Sequence, residues 1–187
     1  MKNRVFIIHG YGGHPSDNWF PWLKTELEKL GYEVYVPAMP NTDTPQLAEW
    51  LSSLKALIST PDGNTYFVGH SLGCITILRY LESLGENQKV GGAVLAAAFI
   101  DPIILKEVNH FVSEPLNAEK IKQSVVKGLV VVNSDNDPYM PFEQAEKLKL
   151  LLNSRLIKVH NGAHLSAEAG YTQLPVVLEE LDKLINK

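Results

Sequence analysis

The chain has 187 residues, of which 45% are hydrophobic and 20% charged, the balance of one ordinary globular domain spanning residues 1–187. A formal net charge of −4 with no basic run argues against a nucleic-acid partner. One cysteine, Cys74, excludes an intramolecular disulfide and a multi-cysteine metal site.

The elements alternate along the chain. Arg4–His9 reads as a first buried strand; its apolar run, Val5 to Ile8, is too short for a signal-peptide core. A helical pattern follows from Trp19 to Leu30, with Asp17 or Ser16 as candidate cap and Gly31 as the stop. Glu33–Val36 is a second strand. Thr44-Pro45 then suggests an N-cap with proline at the first helical position, and Leu47, Trp50, Leu51, Leu54, Leu57 and Ile58 form one stripe at helical period. Thr65–His70 is a third strand and Leu72 to Leu84 a third helix. Gly91–Ala97 follows, and the apolar run Gly91 to Ile100 is too short to span a bilayer. A weaker helix is expected between Glu114 and Val125. Strand Gly128–Asn133, helix Pro141 to Leu152, strand Arg155–His160 and helix Leu174 to Ile185 complete the chain.

Most of these strands lack polar alternation, as expected where both faces are buried. The pattern predicts an α/β fold: a doubly wound, mostly parallel six-stranded sheet with helices on both faces. The chain reads as soluble and cytoplasmic, without a membrane partner. In such sheets ligands bind beyond the carboxyl ends of the strands. The informative residues are therefore those just after each strand.

Gly69-His70-Ser71-Leu72-Gly73 fits the G-x-S-x-G pattern between a strand and a helix. A tight turn there projects Ser71 above the sheet at a helix N-terminus, where N–H groups favour negative charge. His70 adjoins the serine and should point away from it as a packed residue. Serine needs a histidine to take its proton and a carboxylate to orient that histidine. The chain order on such a sheet is Ser, then Asp or Glu, then His. Of the six histidines, only His160 and His164 lie at or after the last strand. His164, in a loop, is preferred, with His160 as the fallback. The acid should follow Gly128–Asn133. Asp137, held extended by Pro138, is preferred over Asp135 and the more distant Asp101.

An oxyanion needs two donors. The Leu72 N–H should supply one. The glycine-rich loop His9-Gly10-Tyr11-Gly12-Gly13-His14 should supply the other, through Tyr11 or alternatively Gly12. That loop lacks the spacing of a dinucleotide site. Gly10, Met39 and Tyr139 are candidate substrate contacts. Core packing is expected for at least two of Trp19, Trp22 and Trp50, and Cys74 should be a small buried hydrophobe. The segment between Ala98 and Val126 offers the one plausible flap. No cofactor or metal is implied.

Several pieces spread over the chain resemble one family in order and content. They are Ile7-Ile8-His9-Gly10-Tyr11, Asn18-Trp19-Phe20-Pro21-Trp22-Leu23, Met39-Pro40-Asn41, Gly69-His70-Ser71-Leu72-Gly73-Cys74, Asp137-Pro138 and Gly162-Ala163-His164. The family is that of the small serine hydrolases related to retinoblastoma-binding protein nine and the YdeN-like proteins. The resemblance implies a minimal α/β-hydrolase without a large cap, the triad Ser71, Asp137 and His164, and carboxylesterase-like cleavage of small acyl esters or thioesters. Asn136 stands where relatives often carry aspartate, and Ala163 and Leu165 where glycine and phenylalanine are commoner. Two other readings use the same residues: a protein-binding module on an idle hydrolase scaffold, and acyl transfer or other triad chemistry. No linear partner motif favours the first.

Overall fold

The computed structural model describes residues 2–187. Six strands alternate with helices: β1 (Arg4–Ile8), α1 (Phe20–Lys29), β2 (Glu33–Tyr35), α2 (Leu47–Leu57), β3 (Thr65–His70), α3 (Leu72–Glu82), β4 (Val90–Ala96), α4 (Ala118–Ser124), β5 (Val125–Ser134), α5 (Glu143–Leu152), β6 (Arg155–Val159) and α6 (Pro175–Ile185). The strands form one sheet in the order β2-β1-β3-β4-β5-β6, and every neighbouring pair is parallel. Among the described residues, no helix is long and apolar enough to cross a membrane.

Residue alternation along the strands builds two cores. Phe6, Ile8, Phe67, Leu95 and Val131 face α2, α3, α4 and α5. Val5, Ile7, Val68, Val94 and Val132 face α1 and α6. Both faces are covered over the sheet centre, so β3, β4 and most of β1 and β5 read as continuous apolar runs, while the edge strands β2 and β6 are partly exposed. Trp50 is fully buried in the first core and Trp19 in the second, while Trp22 packs on the second half-buried.

Helix starts depart from the sequence reading. The residue before α1 is Trp19, which offers no side-chain cap, and the Asp17 carboxylate instead accepts the His14 N–H at 2.7 Å. Thr44 does not cap α2: its N–H closes a turn onto Asn41 O at 2.9 Å, Gln46 is extended, and the helix begins at Leu47. The stripe on α2 points inward as expected through Trp50 and Leu54. β5 begins at Val125, three residues before the predicted Gly128, because Val125 pairs with Val90 across an irregularity in the β4–β5 ladder.

The segment between β4 and α4 is anchored rather than free. Its Phe99, Ile103, Val108 and Phe111 are buried. Arg79 of α3, itself buried, donates to the carbonyls of Phe111 at 3.0 Å and of Glu114, and pairs with Glu82 at 3.2 Å.

Candidate active site

The turn from β3 to α3 is forced by two close approaches. A Cβ on Gly69 would lie 2.9 Å from the Cys74 backbone, and one on Gly73 would lie 2.2 Å from the Ile8 carbonyl oxygen. Only glycine permits either contact. Between them Ser71 adopts φ 53° and ψ −118°, a strained conformation for a residue with a side chain. Its backbone is held by Ser71 N–H to Ala96 O and Cys74 N–H to Ser71 O, each at 2.9 Å. Ser71 is 7% exposed and lines a cavity of about 610 Å³. Cys74 is buried beneath it, and burial pushes its thiol well above the usual range, so it behaves as the expected apolar residue.

The structure brings His164 and Asp137 together. The His164 Nδ1–H donates to Asp137 Oδ2 at 2.8 Å, and the Tyr139 N–H donates to Asp137 Oδ1 at 2.9 Å. Both carboxylate oxygens are thus engaged, and His164 Nε2 is left as the free ring nitrogen. His164 lines the same cavity as Ser71. Ser71 Oγ has no hydrogen bond to His164 Nε2 among the described residues, and catalytic contacts of this kind commonly tighten only when substrate is present.

The rival residues are engaged elsewhere. His160 Nδ1–H donates to Asp135 Oδ2 at 2.7 Å, on the surface. Asp101 pairs with Lys147.

The loop carrying His164 has unusual backbone. Asn161, Ala163 and Leu165 all have φ between 45° and 53°. Such residues persist only where their surroundings hold them. Four contacts do so here. Asn136 Oδ1 accepts the Ala163 N–H and Ser134 Oγ the Gly162 N–H, each at 2.8 Å. Trp19 Nε1–H donates to Leu165 O and His70 Nε2–H to His164 O, each at 2.9 Å. His70 is enclosed by Trp19 and Phe20, and burial, followed by the neighbouring His164, lowers its pKa to about 3. It is neutral, packed as predicted, and it also supports the His164 backbone. Sequence reasoning missed this contact and that of Trp19, although both residues lie inside the recognised motifs.

The loop after β1 abuts the serine: a Cβ on Gly10 would lie 3.1 Å from Ser71 Cβ. His9 fixes that loop. Its Nδ1–H donates to Gly10 O at 2.9 Å, and its Nε2 accepts the Met39 N–H at 3.0 Å. Burial lowers its pKa, which preserves the neutral tautomer. The Gly12 N–H is already used, donating to Thr42 O at 2.9 Å. Tyr11 N–H has no such acceptor among the described residues, and Leu72 opens α3 where no intrahelical acceptor exists.

Gly10, Tyr11 and Tyr139 line the cavity. Met39 does not. It is buried in the core around α2, and its contribution is the backbone N–H that steadies His9. Among the described residues no group of three His, Cys, Asp or Glu side chains could hold a metal ion.

A parallel sheet with a strained serine between strand and helix, and a His–Asp pair on the last two strand ends, defines an α/β-hydrolase. Residues 5–183 match the serine hydrolase family model, and the chain belongs to that family. It is 35% identical over 188 residues to YdeN of Bacillus subtilis strain 168, named as a hydrolase, covering 100% of this chain and 98% of that one. It is 25% identical over 166 residues to serine hydrolase RBBP9 of Rattus norvegicus, covering 86% of each. The crystal structure of the ydeN gene product superposes with a TM-score of 0.96 over 100% of both chains, at 35% identity. Est1E from Butyrivibrio proteoclasticus shares the fold, with a TM-score of 0.73 at 17% identity over 100% of this chain and 89% of that one.

Proposed function

We propose that this hydrolase cleaves small carboxylic esters or thioesters through an acyl-enzyme on Ser71. In this reading Ser71 Oγ attacks the acyl carbon while His164 Nε2 takes its proton. Asp137 holds the imidazole in the tautomer with Nδ1 protonated and stabilises the imidazolium that forms. The carbonyl oxygen becomes an oxyanion and accepts from the N–H groups of Tyr11 and Leu72. The tetrahedral intermediate collapses, the C–O or C–S bond to the leaving group breaks, and His164 returns the proton to the departing alcohol or thiol. Water, deprotonated by the same histidine, then attacks the acyl-enzyme, releasing the acid and restoring Ser71.

The observation that carries this reading is the part-buried Asp137–His164 hydrogen bond, with His164 lining the same cavity as Ser71. A fluorophosphonate should label wild-type protein at Ser71, as read by peptide mass spectrometry. Ser71→Ala should abolish both labelling and turnover of a short-chain p-nitrophenyl ester. A folded wild type that is neither labelled nor active would instead favour the idle-scaffold reading.

A further inference from the structure

The His164 imidazole has to present Nε2 to Ser71, and rotamer preference does not fix that direction. The torsion that turns a histidine ring is broad and roughly two-fold. The contacts from Ser134, Asn136, Trp19 and His70 that hold the strained loop all end on its backbone. On the ring itself, the one hydrogen bond among the described residues is that of Nδ1–H to Asp137. A single bond of this kind leaves the ring free to tilt about it.

Two neighbouring rings supply what the bond does not. The Tyr139 ring meets the imidazole in a T-shaped contact, with centroids 4.7 Å apart and planes at 74°. The His70 ring lies 4.9 Å away, tilted by 58°. Both distances fall in the range where aromatic pairs attract and favour a set angle. His70 is locked in turn by Trp19 and Phe20, with centroids at 5.9 and 6.0 Å. Tyr139 is anchored differently. Its backbone N–H donates at 2.9 Å to Asp137 Oδ1, the oxygen that His164 does not use. One residue therefore touches the acid through its backbone and the base through its ring. The Tyr139 hydroxyl has no hydrogen-bond partner among the described residues, so the ring alone makes the second contact. The bond beside it is well covered: the side chains of His164 and Asp137 are 15% and 1% exposed.

Resting on the reaction proposed above, we infer that Tyr139 is a positioning residue for His164. Its ring sets the tilt of the imidazole toward Ser71 and keeps water off the Asp137–His164 bond. This role goes beyond lining the cavity.

Substitution separates the two contacts, because Tyr139→Leu removes the ring and keeps the backbone N–H on Asp137. Hydrolysis of p-nitrophenyl acetate and p-nitrophenyl butyrate is measured for wild type, Tyr139→Leu and Tyr139→Phe. Each rate is expressed per Ser71 that fluorophosphonate labels at completion, so misfolded protein drops out. His164 moves a proton in both acylation and deacylation, so a mis-set imidazole lowers kcat whichever step limits. In Tyr139→Leu kcat should fall about tenfold or more, with KM within about threefold of wild type. The factor should be the same for both esters, since it acts through the histidine and not through the acyl chain. The initial rate of fluorophosphonate labelling should slow in parallel. Tyr139→Phe, which restores the ring without the hydroxyl, should recover most of the loss.

An unchanged kcat in Tyr139→Leu, a loss carried by KM or growing with acyl length, or a Tyr139→Phe as slow as Tyr139→Leu would overturn the inference. Where wild type is labelled at Ser71 and hydrolyses both esters, such a result leaves the esterase reading intact. A folded wild type that is neither labelled nor active removes both.

Discussion

Two histidine–aspartate pairs bridge the loops after β5 and β6, and their geometry is nearly the same. His164 Nδ1 lies 2.8 Å from Asp137, and His160 Nδ1 lies 2.7 Å from Asp135. Their surroundings differ. The side chains of His164 and Asp137 are 15% and 1% exposed, and those of His160 and Asp135 are 78% and 29% exposed. In the outer pair the Asn161 N–H, followed by His160, holds the Asp135 carboxyl below the usual carboxylate range. That pair stitches two loops together in water, where ion pairs are screened and weak. The inner pair is shielded and opens onto the cavity beside Ser71. Hydrogen-bond length does not separate the two pairs. Burial and the neighbouring Ser71 do.

The comparison breaks most sharply at the serine. Ser71→Ala should lower kcat by on the order of 10⁵-fold or more with the melting temperature retained, since removing the nucleophile alone removes most of the triad's effect. His164→Ala should approach that loss in a continuous ester assay, whereas His160→Ala should stay within about twofold of wild type.

Next come the acids. Asp137→Asn should lower kcat by about 10⁴-fold, because an amide no longer fixes the required tautomer. Asp135→Asn should change kcat by less than about twofold, as expected for a surface substitution distant from the chemistry. Equal losses in the two variants would erase the distinction between the pairs.

A smaller effect concerns stability. Burial holds His70 neutral with a pKa of about 3 and lowers that of His9 in the same direction. Unfolded imidazoles take up protons below roughly pH 6.5. The unfolded state then binds more protons than the folded one. Stability falls as pH drops from about 6.5 toward the folded value. At about pH 5 His70 alone should account for roughly 2 kcal/mol, measurable as a shift in urea midpoint relative to neutral pH. His70→Gln, which retains a donor for His164 O, should remove most of that acid-dependent loss.

The central strands were legible because they are buried on both faces, so β3 and the C-terminal part of β5 stand out as unbroken apolar runs, whereas the edge strands β2 and β6 are partly exposed. The serine was legible because its turn needs Gly69 and Gly73 at fixed spacing. Helix starts were less so. Asp17 and Thr44 have the side chains of caps, but local turns to His14 and Asn41 use them first. The support for His164 was not legible at all. Trp19 reaches Leu165 across 146 residues and His70 reaches His164 across 94, contacts that exist only once the sheet has formed. Met39 followed a strand, as a pocket residue would, yet the adjoining N–H went to His9 and the side chain to the core.

The central claim is that the inner pair, and not the outer one, activates Ser71. The rate of fluorophosphonate labelling measures that activation without any assumption about substrate. It should be recorded for wild type, Asp137→Asn and Asp135→Asn at neutral pH. The account predicts labelling at Ser71 that slows by at least about 10³-fold in Asp137→Asn and is unchanged in Asp135→Asn. Rapid labelling in Asp137→Asn, or a comparable slowing in Asp135→Asn, would contradict it.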